Sequence, residues 1–187
     1  MSDSTEKQLI MAFCDAWGEA APSLLGRPSS LGLLALREVS GEGLGSALAV
    51  AATWSSGFIS NCSGSLPGVT ICLFKSDDSD SVERLIKQPG DGALKPGVRA
   101  LISATLSNAA ARFSKTAPAP LTFGEITHLD LSGQESRLAT IVGDLAWVGT
   151  FSLSIRDSDD TQALLLYAPH GSLPTPAHAA QPAAEAP

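Results

Sequence analysis

The order of elements in this 187-residue chain repeats once, and that repetition limits its fold more than any single motif does. A helical run, QLIMAFCDAWGEAAPSLL (residues 8–25), is followed by three strand-like runs. A second long helix then opens at Ala93–Phe113, ALKPGVRALISATLSNAAARF, and three more such runs follow it. Laid over one another 92 residues apart, Pro28 falls on Pro120, Gly32 on Gly124, and Leu9-Ile10 on Leu101-Ile102. Val39-Ser40-Gly41 meets Leu131-Ser132-Gly133, and one further residue brings Trp54 onto Trp147. Two α-β-β-β units, residues 8–88 and 97–169, predict an α+β fold. It is a pseudo-twofold duplication: one antiparallel six-stranded sheet with two long helices packed on one face.

Local patterns fill in this plan. In the first helix Leu9, Ile10, Phe13, Trp17, Ala20, Ala21 and Leu24 share one face at helical spacing. Asp3 and Ser4 are candidate caps, and Pro22 is expected to kink or end the helix. Leu31–Val39, Ala47–Ser60 and Val69–Phe74 read as strands, with SGEGLGS (Ser40–Ser46) as a turn and Ser81–Lys87 as a brief helix. In the second half, helix Gly97–Ser114 leads to strand Leu121–Leu131. A strand-pair region, Leu138–Ile155, and a last strand, Gln162–Ala168, follow. Residues 1–7 read as a polar lead-in, 8–169 as the folded domain, and the Pro/Ala-rich 170–187 as a disordered, linker-like tail.

Composition narrows the function. A net charge of −7, with Lys and Arg scattered, leaves no basic patch to track phosphates, so no nucleic-acid partner is expected. The apolar runs fall short of the roughly 20 residues that span a bilayer. Cys14, Cys62 and Cys72 are odd in number and share no CxxC spacing, which suits small apolar residues in a reducing cytosol.

Other constellations read as structure. Gly41-x-Gly43-x-Gly45-Ser46 lacks the βαβ setting and the Walker lysine of a phosphate loop, and a hairpin turn is expected there. His128, His170 and His178 are isolated, so no metal site is expected. The acidic runs Asp77–Asp80 and Asp157–Asp160 lack the spacing of a calcium loop and are expected to be solvated turns. Trp54 and Trp147, matched in the repeat, are expected to pack between sheet and helix, with an interaction hot spot as the other reading.

Three stretches carry a resemblance: FCDAWGEAAPSLLG in the first helix, ALISATLSNAAARFS in the second, and the closing QALLLYAP. Over residues 8–169 the chain resembles the CheC/CheX/FliM family, which comprises chemotaxis phosphatases and the middle domains of flagellar switch proteins such as FliY. The resemblance implies the duplicated α-β-β-β fold. It also implies a phosphatase motif, Asp/Ser-x-x-x-Glu-x-x-Asn, in which the acid grips a lysine of a phosphorylated receiver and the amide orients water. Here the first helix has Asp15-x-x-x-Glu19-x-x-Pro22, and the second has Ser103-x-x-x-Ser107-x-x-Ala110. The acids of the first survive and both amides are gone; Asn108, one place out of register, is expected to face elsewhere.

The resemblance therefore implies a non-catalytic switch or chemotaxis domain with no cofactor. Asp15, Glu19, Ser103 and Ser107 would be its partner-binding positions, unless the two acids are an ordinary solvated pair. Its partners would be flagellar switch-complex proteins or a CheY-like response regulator, and self-association is allowed. It would be cytoplasmic, at the flagellar basal body if it sits in the motor. The alternatives are a working phosphatase that uses Glu19 and an unrelated α+β ligand-binding domain.

Overall fold

The computed structural model describes residues 4–86, 95–115 and 119–173. The first half comprises α1 (Thr5–Leu25), β1 (Ser29–Ser40), α2 (Gly41–Ala52), β2 (Ser56–Gly64), β3 (Gly68–Phe74) and α3 (Ser76–Leu85). The second comprises α4 (Pro96–Phe113), β4 (Leu121–Phe123), β5 (Thr127–Asp130), α5 (Glu135–Val142), β6 (Leu145–Ile155) and β7 (Thr161–Ala168). The strands form one antiparallel sheet in the order β1-β6-β7-β3-β2-β4, with β5 also paired to β2. β4 and β5 lie along different stretches of the same edge of β2, so seven strands occupy six places. Exchanging β1 with β4/β5, β2 with β6 and β3 with β7 reverses this order without changing it. The duplication is thus written into the topology, with its pseudo-twofold axis between β3 and β7.

Alternation along the central strands builds two cores. Cys72 and Phe74 of β3 and Ala163 and Leu165 of β7 face α1 and α4, where Phe13, Trp17, Leu101 and Ile102 are buried. Ile71, Leu73, Leu164 and Leu166 face the other way, against Leu44 and Leu48 of α2 and Leu138 and Ile141 of α5. The sheet is therefore sandwiched: α1 and α4 pack on one face as expected, and two short helices cover the other. The three thiols are free; Cys72 is wholly buried, and burial pushes the Cys62 thiol up to about 11.

The repeat matches divide in an informative way. Leu9-Ile10 and Leu101-Ile102 are all fully buried in equivalent helices, and Pro28 and Pro120 each precede the first strand of their half. Gly41 and Gly133 are both at positive φ, the first opening α2 and the second two residues ahead of α5. Trp54 and Trp147 are not equivalent. Trp54 precedes β2 and packs in the α2/α5 core, whereas Trp147 lies within β6 and packs against the α1/α4 side.

Several expectations are corrected. Gly41–Ala52 is helix rather than a turn and strand, because Leu44, Leu48 and Ala51 follow helical spacing and reach the sheet. The run Leu138–Ile155 begins with α5, in which Leu138, Ile141 and Val142 are buried at i, i+3 and i+4. Asp77–Asp80 belongs to the start of α3, where carboxylates suit the helix dipole. Strand Leu121–Leu131 is broken into β4 and β5. α1 starts at Thr5, inside the stretch read as lead-in, with Ser4 Oγ accepting from Lys7 N at 3.3 Å. It runs on through Pro22 to Leu25 and ends on Gly26 in the left-handed region, whose N–H donates to Pro22 O at 3.0 Å. Asp3, most of the connector between the halves and residues 174–187 of the tail lie outside the described residues.

α3 fixes the start of α4. The Glu83 carboxylate accepts from Gly97 N at 2.9 Å and from Val98 N at 2.7 Å, satisfying two of the helix's orphan donors with a negative charge. The approach is close enough that a Cβ on Gly97 would lie 2.9 Å from Ile86 Cβ and Cγ2. Gly97→Ala should therefore cost about 1–3 kcal/mol through overpacking, and Glu83→Ala about 1 kcal/mol through the lost cap. Urea unfolding of each variant measures both; an unchanged midpoint for either would contradict this junction.

Candidate functional site

α1 and α4 lie side by side, and their outward faces carry all four residues singled out from the sequence. Asp15 and Glu19 are one helical turn apart on α1, between the buried positions Phe13, Ala16, Trp17 and Ala20, and both are exposed. Ser103 and Ser107 are likewise exposed on α4, and neither hydroxyl is hydrogen-bonded within the described residues. The structure does not bring them into contact with the acids.

What meets the acids is Arg112, near the C-terminus of α4. Its guanidinium donates to both Glu19 oxygens, through Nη2 to Oε1 and through Nε to Oε2 at 3.4 Å. Its Nη1 lies 3.9 Å from Asp15 Oδ2. One cation on α4 thus gathers the two carboxylates of α1. The hydrogen bond from Arg112 holds the Glu19 carboxyl below the usual range, helped by the charges of Arg112 and Lys115. The same pair raises the guanidinium pKa, so Arg112 stays charged.

Two open depressions flank this clamp. One, of about 270 Å³, is lined by Gln8, Met11, Ala12, Asp15, Arg112 and Phe113. The other, of about 320 Å³, is lined by Glu19, Asn108, Ala111, Arg112 and Lys115. Asn108 therefore does not face elsewhere: across the helix pair it shares a depression with Glu19. Pro22, at the place of the motif's amide in α1, supplies no group that could hold a water. The chemistry available here is charge pairing and two carboxamides, Gln8 in the depression that Asp15 lines and Asn108 in the one that Glu19 lines. Among the described residues no three His, Cys, Asp or Glu side chains gather where a metal ion could be held.

Arg112 was missed by reading motifs along each helix. It stands 93 residues from Glu19 and occupies no motif position, so only the packing of α4 on α1 makes it part of the site. A second polar cluster, at the end of the sheet, was missed for the same reason. His128 of β5 lies 3.0 Å through Nε2 from Ser56 Oγ, against the Phe58 ring. Burial, with Lys95 nearby, pushes its pKa below the ordinary histidine value.

No protein-family model and no curated protein matches this sequence. Solved structures do match the fold. FliY of Thermotoga maritima superposes at a TM-score of 0.63 with 12% identity, over 90% of this chain and 91% of that one. The FliM middle domain of H. pylori gives 0.62 and 9%, over 90% and 94%. The chemotaxis protein CheX of Desulfovibrio desulfuricans gives 0.55 and 10%, over 85% and 97%. The chain has the fold that these flagellar switch and chemotaxis proteins share. No helix among the described residues is long and apolar enough to cross a membrane.

The clamp makes a directional prediction. Because Glu19 titrates below its unfolded value, its pairing stabilises the fold above the ordinary carboxylate range and is lost as pH falls through the folded value. In Arg112→Ala the Glu19 midpoint, followed by carboxyl NMR, should move up toward that of an unpaired glutamate, with the Lys115 charge still in place. An unmoved midpoint would show that the two side chains do not pair in solution.

Proposed function

We propose that this chain is a non-catalytic protein-interaction domain of the flagellar-switch and chemotaxis class, working in the cytoplasm. In this reading the outer face of α1 and α4 docks a component of the switch complex or a CheY-like receiver. Asp15, Glu19, Ser103 and Ser107 lie in the contact. The shared fold supports the class, and a FliM of H. pylori has been solved in complex with FliG. The observation that carries the non-catalytic reading is Arg112: the acids that would have to grip a partner's lysine are already paired within the chain. Proline at position 22 supports it too, since phosphoryl transfer to water needs a group that orients the nucleophile.

One observation favours the rival phosphatase. Asn108 and Glu19 line the same depression, so an acid and a carboxamide are available from two different helices. The two readings separate on mixing the protein with a phosphorylated CheY-type receiver and following the acyl phosphate. The non-catalytic reading predicts loss at the receiver's own rate, with Glu19→Ala and Asn108→Ala indistinguishable from the parent. Acceleration that either substitution abolishes would overturn it.

A further inference from the structure

α2 is a glycine-rich helix of low intrinsic propensity, and its construction has a consequence for the core beneath it. Three of its twelve residues are glycine (Gly41, Gly43 and Gly45). A Cβ at Gly43 or Gly45 would meet nothing within 4 Å, so close packing explains neither. Glycine in a helix interior costs stability through backbone entropy that alanine does not carry. The helix also lacks the usual compensations. Ser40 makes no side-chain cap bond, Glu42 has no cationic partner among the described residues, and Ser46 Oγ donates back to Glu42 O at 3.2 Å, a bond that competes with helix geometry. What holds α2 is its apolar stripe, Leu44, Leu48 and Ala51, laid on α5 and the sheet.

Both ends of the segment are joints. At the first, Gly41 takes φ +52. At the second, Ser55 takes φ +58, rare for a residue with a side chain, inside a three-residue turn closed by Ser56 N on Trp54 O at 2.7 Å. That joint is latched from outside by Leu131 N donating to Ser55 O at 2.6 Å and by the Ser56–His128 contact. Lys75 adds a hold on Trp54, its Nζ 5.8 Å from the ring centroid. A helix with weak internal propensity between two left-handed joints is a unit that can come away while the sheet stays formed.

We propose that residues 41–55 form a hinge-bounded unit that opens independently of the rest of the fold, uncovering the apolar strip of Leu44, Leu48 and Trp54 and the sheet face they cover. This device is separate from the α1–α4 face and stands whether or not the function proposed above is right.

Hydrogen exchange on the intact chain, read by mass spectrometry across a series of low urea concentrations, tests it. The 41–55 amides should exchange ahead of β3 and β7, through an opening whose urea dependence is measurable but smaller than that of the sheet. Gly43→Ala and Gly45→Ala should each slow exchange in that segment by about fivefold and leave the sheet unchanged. If 41–55 exchanges only together with β3 and β7, with the same urea dependence, the unit does not exist. If the alanines slow helix and sheet equally, the proposal is overturned as well.

Discussion

The pairing of β1 with β6 is the interaction on which the rest of this structure depends. Eleven register pairs, from Ser29 with Ile155 to Ser40 with Leu145, tie the first strand of one half to the middle strand of the other. At the opposite edge β2 holds β4 and β5 in the same crossed way. Neither half therefore has a complete sheet of its own. Taken alone, each would leave its middle strand without one neighbour and its first strand with none, and so leave backbone donors and acceptors unpaired beside apolar side chains. The crossing also lays α1 and α4 over one sheet face as neighbours. The register of this outer strand shifts between Leu33 and Ala35, an irregularity of the kind that discourages further pairing at a sheet edge.

The composite α1–α4 face follows from that arrangement. Asp15 and Glu19 come from one repeat and Arg112 from the other, so the charge balance of the site exists only in the assembled duplication. A guanidinium suits this role because it is planar, permanently charged and able to address two carboxylates at once. On an exposed surface such pairing adds little to stability. Its larger effect is on recognition, since a cationic partner must compete with a group already in place. Asn108 shows how the same packing can set a carboxamide beside an acid without any motif in the sequence.

Much of this was legible in the sequence, and the failures have a common cause. The long helices could be read because Leu9, Ile10, Phe13 and Trp17, and later Leu101 and Ile102, keep helical spacing over many turns. The strands around Ile71 and Leu165 could be read because both sheet faces are covered and their runs are continuously apolar. α2 and α5 could not, because a short apolar helix and a buried strand look alike over eight to twelve residues, and glycine at 41, 43 and 45 signalled a turn. In α2 the exposed Ala49 and Val50, the latter at 58% exposure, blurred the polar face that would have revealed the period. Trp54 and Trp147 misled through identity alone. The site residues Asp15 and Glu19 stood out by spacing, whereas Arg112 and His128 belong to their clusters only through contacts between elements distant in the chain.

The interlocked duplication is tested most directly by dividing the chain within residues 87–94 and measuring each half alone and mixed, by circular dichroism during urea unfolding and by sedimentation. The crossed strand pairs predict that neither half folds as a monomer. Mixing should then restore one cooperative transition and a one-to-one complex. A half that unfolds cooperatively as a monomer would contradict the account, because its sheet would then be complete without the strands of the other.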